Sequence, residues 1–115
     1  MLKGLGNLGD MAKMMKKAQE MQGKMAALQS ELENTVVIGE SGAGLVKARA
    51  TAKGDLTGLD IDPSIFNPDE KEVVEDLILA AIKDAQSKAA QKSKEEMEKL
   101  TSELGLPAGM DIPGL

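Results

Sequence analysis

The stretch from Leu45 to Lys53 limits this chain to few folds, because it alternates small apolar with mainly charged side chains. Val46, Ala48, Ala50 and Ala52 fall on one side and Lys47, Arg49, Thr51 and Lys53 on the other, the pattern of a strand with one buried and one polar face. The apolar run Val36 to Ile38 precedes it, and Gly39, Gly42 and Gly44 lie between the two. That spacing predicts a six-residue glycine-rich turn joining antiparallel strands. Gly54-Asp55 then reads as a two-residue turn with positive φ at its first position, so Leu56 to Ile61 returns as a third strand with Thr57, Leu59 and Ile61 on one face. Asp62-Pro63 closes the sheet, since proline has no N–H for the ladder and restricts the residue before it. The small side chains at Ala48 and Ala50 require a helix or another sheet to approach closely.

Helical patterns flank this sheet. Gly4, Gly6 and Gly9 lower helix propensity at the start, so residues 1–9 are expected to form a flexible lead. Over 10–33, apolar residues recur at Met11, Met14, Ala18, Met21, Met25, Leu28 and Leu32, a 3,4 spacing that gives a helix one narrow seam suited to packing on another helix. Methionine suits such a seam because its flexible thioether fills irregular gaps.

After the sheet, Asn67-Pro68-Asp69-Glu70 combines an N-cap residue, proline at the first helical position and glutamate at the third. A long helix is predicted over 68–104, with apolar positions Val74, Ile78, Ile82, Ala85, Ala89, Met97, Leu100 and Leu104, broadened early by Val73, Leu77 and Ala81. Gly105 and Pro107 end it. The tail over 105–115, rich in glycine and proline, is expected to be flexible. Such a helix is about 50 Å long at 1.5 Å per residue, whereas the strands span about 17–24 Å. More than half of it must overhang its own sheet.

The chain is therefore expected to be a single α+β domain over 1–115, in the order α-β-β-β-α. A three-stranded antiparallel sheet over 35–62 is flanked by an N-terminal and a long C-terminal helix. The overhang, the core without large side chains and a sheet with an open edge all favour a homodimer, the alternative being a monomer whose helices pair antiparallel and project from the sheet. Val46, Ala48, Ala50, Ile78 and Ile82 are the candidate packing and dimer residues.

Composition excludes much chemistry. The 115 residues contain no Cys, no His, no Trp and no Tyr, and Phe66 is the one aromatic. Disulfides, thiolate metal sites and the commonest general base are all ruled out. The segment GESGAG lacks the context of a phosphate loop, because Gly44 leads into a strand and not a helix. Ser41 in Gly-Glu-Ser-Gly-Ala approximates a nucleophile elbow, yet no histidine exists to activate it. Asp60, Asp62, Glu95, Glu96 and Glu98 lie where solvated faces are expected. No enzyme activity, metal, cofactor or small-molecule substrate is anticipated. No apolar run reaches the roughly 20 residues that span a bilayer, and MLKGLGNLGD lacks the apolar segment of a signal peptide. Neither helix carries the aromatic and basic flanks of a membrane-surface helix. A cytoplasmic protein is expected.

The formal net charge is -5, which disfavours a simple basic nucleic-acid binder. Its distribution is uneven. Residues 1–30 hold Lys3, Lys13, Lys16, Lys17 and Lys24 against Asp10 and Glu20, a local balance of +3.

Four segments, MMKKAQEMQGKM, GESGAGLVKA, LDIDPSIF and EDLILAAIKDA, together resemble the YbaB/EbfC family of small bacterial nucleoid-associated proteins, from about Leu5 to the Leu-Pro of the tail. The resemblance implies a homodimer with tweezer-like arms, located in the cytoplasm and associated with the nucleoid. It implies binding to double-stranded DNA and a change in its conformation, with transcription, compaction or protection as the consequences. By position it places Lys16, Lys17 and Lys24 at the basic places of the first helix, and Lys83, Lys88, Lys92 and Lys94 on the other arm. The candidate DNA-binding set is Lys13, Lys16, Lys17, Lys24, Lys88, Lys92 and Lys94. With a single Arg, lysine supplies mainly point-charge contacts, so phosphate binding, low sequence specificity and strong salt dependence are expected. The alternative is a dimeric scaffold or adaptor that binds another protein through its helices.

Overall fold

A computed structural model describes residues 2–105. Helix α1 runs Leu2–Asn34, strands β1, β2 and β3 cover Val36–Ser41, Val46–Thr51 and Leu56–Ile61, and helix α2 covers Lys71–Glu103. The sheet is antiparallel with strand order β1-β2-β3, so the fold is α+β in the order anticipated. The tail beyond 105 lies outside the described residues.

Several boundaries differ from the sequence reading. The expected lead over 1–9 is helical from Leu2; the 3.6-residue pattern propagates through glycines whose individual cost is only about 1 kcal/mol. Strand β1 continues through Gly39 to Ser41, so the turn shrinks to Gly42–Gly44, with positive φ at Gly42, Ala43 and Gly44. Strand β2 ends at Thr51. There Ala52 turns away, its N–H shared between the Leu32 and Thr35 carbonyls, and a four-residue connection with Gly54 at φ 95° leads into β3.

A register shift between Arg49 and Ala50 pairs Ala50 with Leu56 and Arg49 with Gly58. Thr57 is the extra residue of this bulge. Leu56, Leu59 and Ile61, not Thr57, thus share the face of Ala50, Ala48 and Val46.

Helix α2 begins at Lys71, three residues later than the 68 expected from Asn67-Pro68. The Asn67 side chain accepts the Asp69 N–H, and a short 3-10 turn over Pro68–Glu70 precedes the helix proper. Its first half lies on the sheet. Val46, Ala48, Ala50, Ala81 and Ala85 form a core with no exposure, and Val37, Ile61, Ile65, Leu77, Ile78 and Ile82 pack around it. Helix and sheet meet so closely because the residues between them are alanine and glycine. A Cβ on Gly39 would overlap the Ala85 backbone nitrogen and the Ala81 carbonyl oxygen. Gly39 is therefore a packing residue, a role for which the local sequence gives no sign.

The second half of α2 passes the sheet and meets the end of α1. Leu28, Leu32, Ala52 and Leu100 form a second core, flanked by Met25, Met97 and Leu104. Only this last part of the α1 seam is covered: Met11, Met14 and Met15 are exposed. The molecule is consequently elongated, 83 × 21 × 17 Å.

Candidate nucleic-acid interface

The seven lysines singled out from the sequence fall into two groups with different surroundings. On α1, Lys13, Lys16 and Lys17 stand on a length of helix whose residues from Gly9 to Glu20 are all exposed. At 100° per residue, Lys13, Lys17 and Lys24 fall within about 40° of one another on one flank of the methionine seam, with Lys16 farther round. Among the described residues no carboxylate lies within ion-pair distance of Lys13, Lys16 or Lys17. Lys24, at the point where α2 ends, faces Glu103 at 3.9 Å.

On α2 the lysines are mostly engaged. Lys92 lies 3.3 Å from Glu96, which Lys99 also approaches at 3.3 Å. Hydrogen bonds from Lys99 and then Lys92 hold the Glu96 carboxyl below its ordinary range. Lys94 is exposed, with no carboxylate partner among the described residues. From Lys88 to Glu103 the four lysines are balanced by Glu95, Glu96, Glu98 and Glu103, whereas residues 9–24 of α1 carry a surplus of two positive charges. Exposed pairs contribute little energy, but they cancel the field a polyanion would feel.

Lys88 has a structural task. Its Nζ donates to the Ile38 carbonyl at 3.1 Å and bridges Asp84 at 2.9 Å, while Asp84 accepts the Glu40 N–H at 2.9 Å. The Glu40 N–H and, after it, Lys88 hold the Asp84 carboxyl below its usual range. These two side chains of α2 thus occupy edge groups of β1, and Ser41 Oγ donates to the Leu77 carbonyl one residue farther along. No sequence signal marks them, because Asp84 and Lys88 lie 44 and 50 residues from their partners. Lys88 is present in the candidate DNA set, yet its ammonium is turned to the sheet.

Of the candidate packing residues, Val46, Ala48 and Ala50 are fully buried, and Ile78 and Ile82 are half-buried against them. The face of the sheet away from α2 carries Val36 and Ile38, both exposed, beside Lys47, Arg49, Asp60 and Glu40. There Arg49 pairs with Asp60 and Lys47 with Glu40. Among the described residues no cluster of three or more potential metal ligands occurs, and no helix is long and apolar enough to cross a membrane.

A family model described as the YbaB/EbfC DNA-binding family matches residues 7–104. A nucleoid-associated protein of Nitrobacter hamburgensis is 46% identical over 105 residues, covering 91% of this chain and 99% of that protein. A nucleoid-associated protein of Nitrobacter winogradskyi is 48% identical over 103 residues, covering 90% and 97%. The crystal structure of an uncharacterized protein from Helicobacter pylori is similar with a TM-score of 0.68 at 20% identity, over 77% of this chain and 94% of that one. The last is a likeness of fold.

Proposed function

The chain belongs to the YbaB/EbfC DNA-binding family, and on that footing we propose that it is a non-catalytic, nucleoid-associated protein of the cytoplasm. It binds double-stranded DNA as a homodimer, with low sequence specificity, and alters the conformation of the duplex. Support for the partner comes from the family and from relatives named nucleoid-associated proteins. One observation carries the site: Lys13, Lys16 and Lys17 project on an α1 arm with surplus positive charge, whereas Lys24, Lys88 and Lys92 already face carboxylates.

Lysine ammonium groups on an exposed helix act mainly as point charges toward phosphates, so contacts run chiefly along the backbone of the duplex. Each phosphate neutralised releases condensed counterions, and the affinity falls accordingly with salt. A dimer doubles the arm and holds two lysine faces at a set separation. Acidic residues elsewhere explain how a chain of net charge -5 meets a polyanion: its sign is local.

The test is a salt-titrated duplex-binding assay on the parent, Lys16→Glu/Lys17→Glu and Lys92→Glu/Lys94→Glu. The α1 pair is expected to lose at least tenfold in affinity at about 50 mM salt, and the α2 pair much less. Equal, weak binding by all three would remove the electrostatic basis of the proposal.

The exposed seam at Met11, Met14 and Met15 supports the adaptor as a second reading, since methionine-rich surfaces adapt to apolar partners. Met11→Gln/Met14→Gln separates the two: unchanged duplex binding leaves the seam for a protein, and parallel loss ties it to DNA.

A further inference from the structure

We propose that the exposed part of the α1 methionine seam is the seat of the chain's own last segment, LPAGMDIPGL over 106–115. The segment leaves α2 and continues along the stripe of α1 that α2 itself covers as far as Met25. The inference goes beyond the DNA reading and does not depend on it.

The seam changes character where α2 stops. Over Met25, Leu28 and Leu32 it is packed by Met97, Leu100 and Leu104. Toward the start of α1 it opens, with Met11, Met14 and Met15 exposed by 58%, 70% and 63%. A chain that follows α2 in space therefore meets thioethers, whose flexibility suits an irregular apolar partner.

The exit from α2 delivers the segment to that surface. Glu103 faces Lys24 at 3.9 Å, so α2 ends level with the opening of the seam. Gly105, at φ 70°, donates its N–H to the Ser102 carbonyl at 3.1 Å, one of the two bonds of a Schellman cap. In that cap the residue after the glycine packs back on the last turn of the helix, which sets Leu106 against Leu100 in the second core.

Length and spacing agree with this seat. Ten residues reach about 33 Å when extended, whereas the seam from Met25 to Met11 measures about 21 Å. Pro107 and Pro113 suit a polyproline rise of about 3.1 Å per residue. At that rise Met110 falls about 12 Å beyond Leu106, beside the small Ala18, and Ile112 about 19 Å beyond it, beside Met14. Asp111 then lies between the levels of Lys13 and Lys17, which flank the seam, so the charges are complementary. The other exposed apolar site, around Phe66, lies before a helix of 33 residues and is about 50 Å from Gly105, out of reach. A segment tethered at the mouth of a groove has an effective concentration of about millimolar there, and an outside apolar partner has to displace it.

The absence of cysteine lets a disulfide report the seat. Met14→Cys/Ile112→Cys is compared with Ala12→Cys/Ile112→Cys, whose helix position lies about 160° round from Met14. Both are oxidised mildly in the full chain, denatured and resolved without reductant, with far-UV spectra to show that each is folded. The seam pair should link within one chain about tenfold or more faster than the control. Equal rates in the two pairs, or links formed between chains, overturn the proposal. A second measurement leaves α1 unaltered: oxidation of Met14 by dilute hydrogen peroxide, followed by peptide mass. It should run about threefold or more faster in Met110→Gln/Ile112→Gln than in the parent, since thioether oxidation follows exposure, and an unchanged rate overturns the seat as well.

Discussion

Gly39→Ala tests the closest approach in the molecule. Strand β1 meets α2 with no side chain between them, and a methyl group at Gly39 would overlap Ala85 N, Ala85 Cα and the Ala81 oxygen. All three are atoms of the helix backbone, so no rotamer change relieves the overlap. The helix must rise by more than about 1 Å to restore a carbon separation of about 3.5 Å, and gaps of 0.5–1 Å forfeit a quarter to a half of the dispersion energy of each facing atom pair. The atoms drawn apart are those of Val46, Ala48, Ala50, Ala81 and Ala85, the whole of the first core. Overpacking of this kind costs about 3 kcal/mol, and alanine returns about 0.5–1 kcal/mol through its lower chain entropy in a strand. The net loss is about 2–2.5 kcal/mol, or about 10 °C in Tm for a domain of this size. Thermal and urea unfolding followed in the far ultraviolet, at one fixed chain concentration, measures it. A fall of less than about 2 °C would refute the argument that Gly39 sets the distance between helix and sheet. Gly58→Ala is the control, since its obstacle is the movable end of Arg49.

Gly23→Ala should stabilise the chain by about 0.5–1 kcal/mol, seen as a higher Tm, because nothing lies within 4 Å of the added methyl group and alanine is the better helix former. The Asp84 carboxyl is held below its ordinary value, so its contribution is complete above the ordinary carboxylate range and disappears as pH falls through its lowered value. Asp84→Asn should therefore lower the urea midpoint at pH 7 and narrow the difference from the parent under strong acid; an equal gap at both would count against the bond to the Glu40 N–H. In the duplex assay, the slope of log affinity against log salt should become shallower by about 0.9 for each phosphate that Lys16→Glu/Lys17→Glu leaves without its lysine, and an unchanged slope would place the binding surface elsewhere.

The sheet was legible where the chemistry is local. The alternation of Val46, Ala48 and Ala50 announced the strand and a close-lying neighbour, helix or sheet, and Asn67-Pro68 marked the turn that leads into α2. The turn extends less far than Gly39 suggests because a glycine needed for left-handed φ and one needed for close approach look alike in a sequence. The bulge at Thr57 is equally silent, since a single extra residue changes the face of all that follows without disturbing composition. The lysines were visible as charges on α1, but their division into engaged and open groups depends on partners such as Glu103 and Ile38, far away along the chain. Helical periodicity likewise predicted a methionine seam without showing that only its last third would be covered.

Gly23 lies beside Lys24, the level at which α2 ends against Glu103, so the arm beyond it behaves as a cantilever. Lys13 sits about 15 Å from that root at 1.5 Å per residue, held straight by the backbone bonds of one helix whose seam is exposed at Met11 and Met14. Glycine at the root has no Cβ to restrict its backbone, so the helix resists bending least there. A bend of about 20° there, the size at which a helix counts as kinked, carries the Lys13 end through about 5 Å. Such a joint gives the lysines of the arm a range of positions relative to the sheet, and Gly23→Ala trades that range for a straighter, stiffer helix.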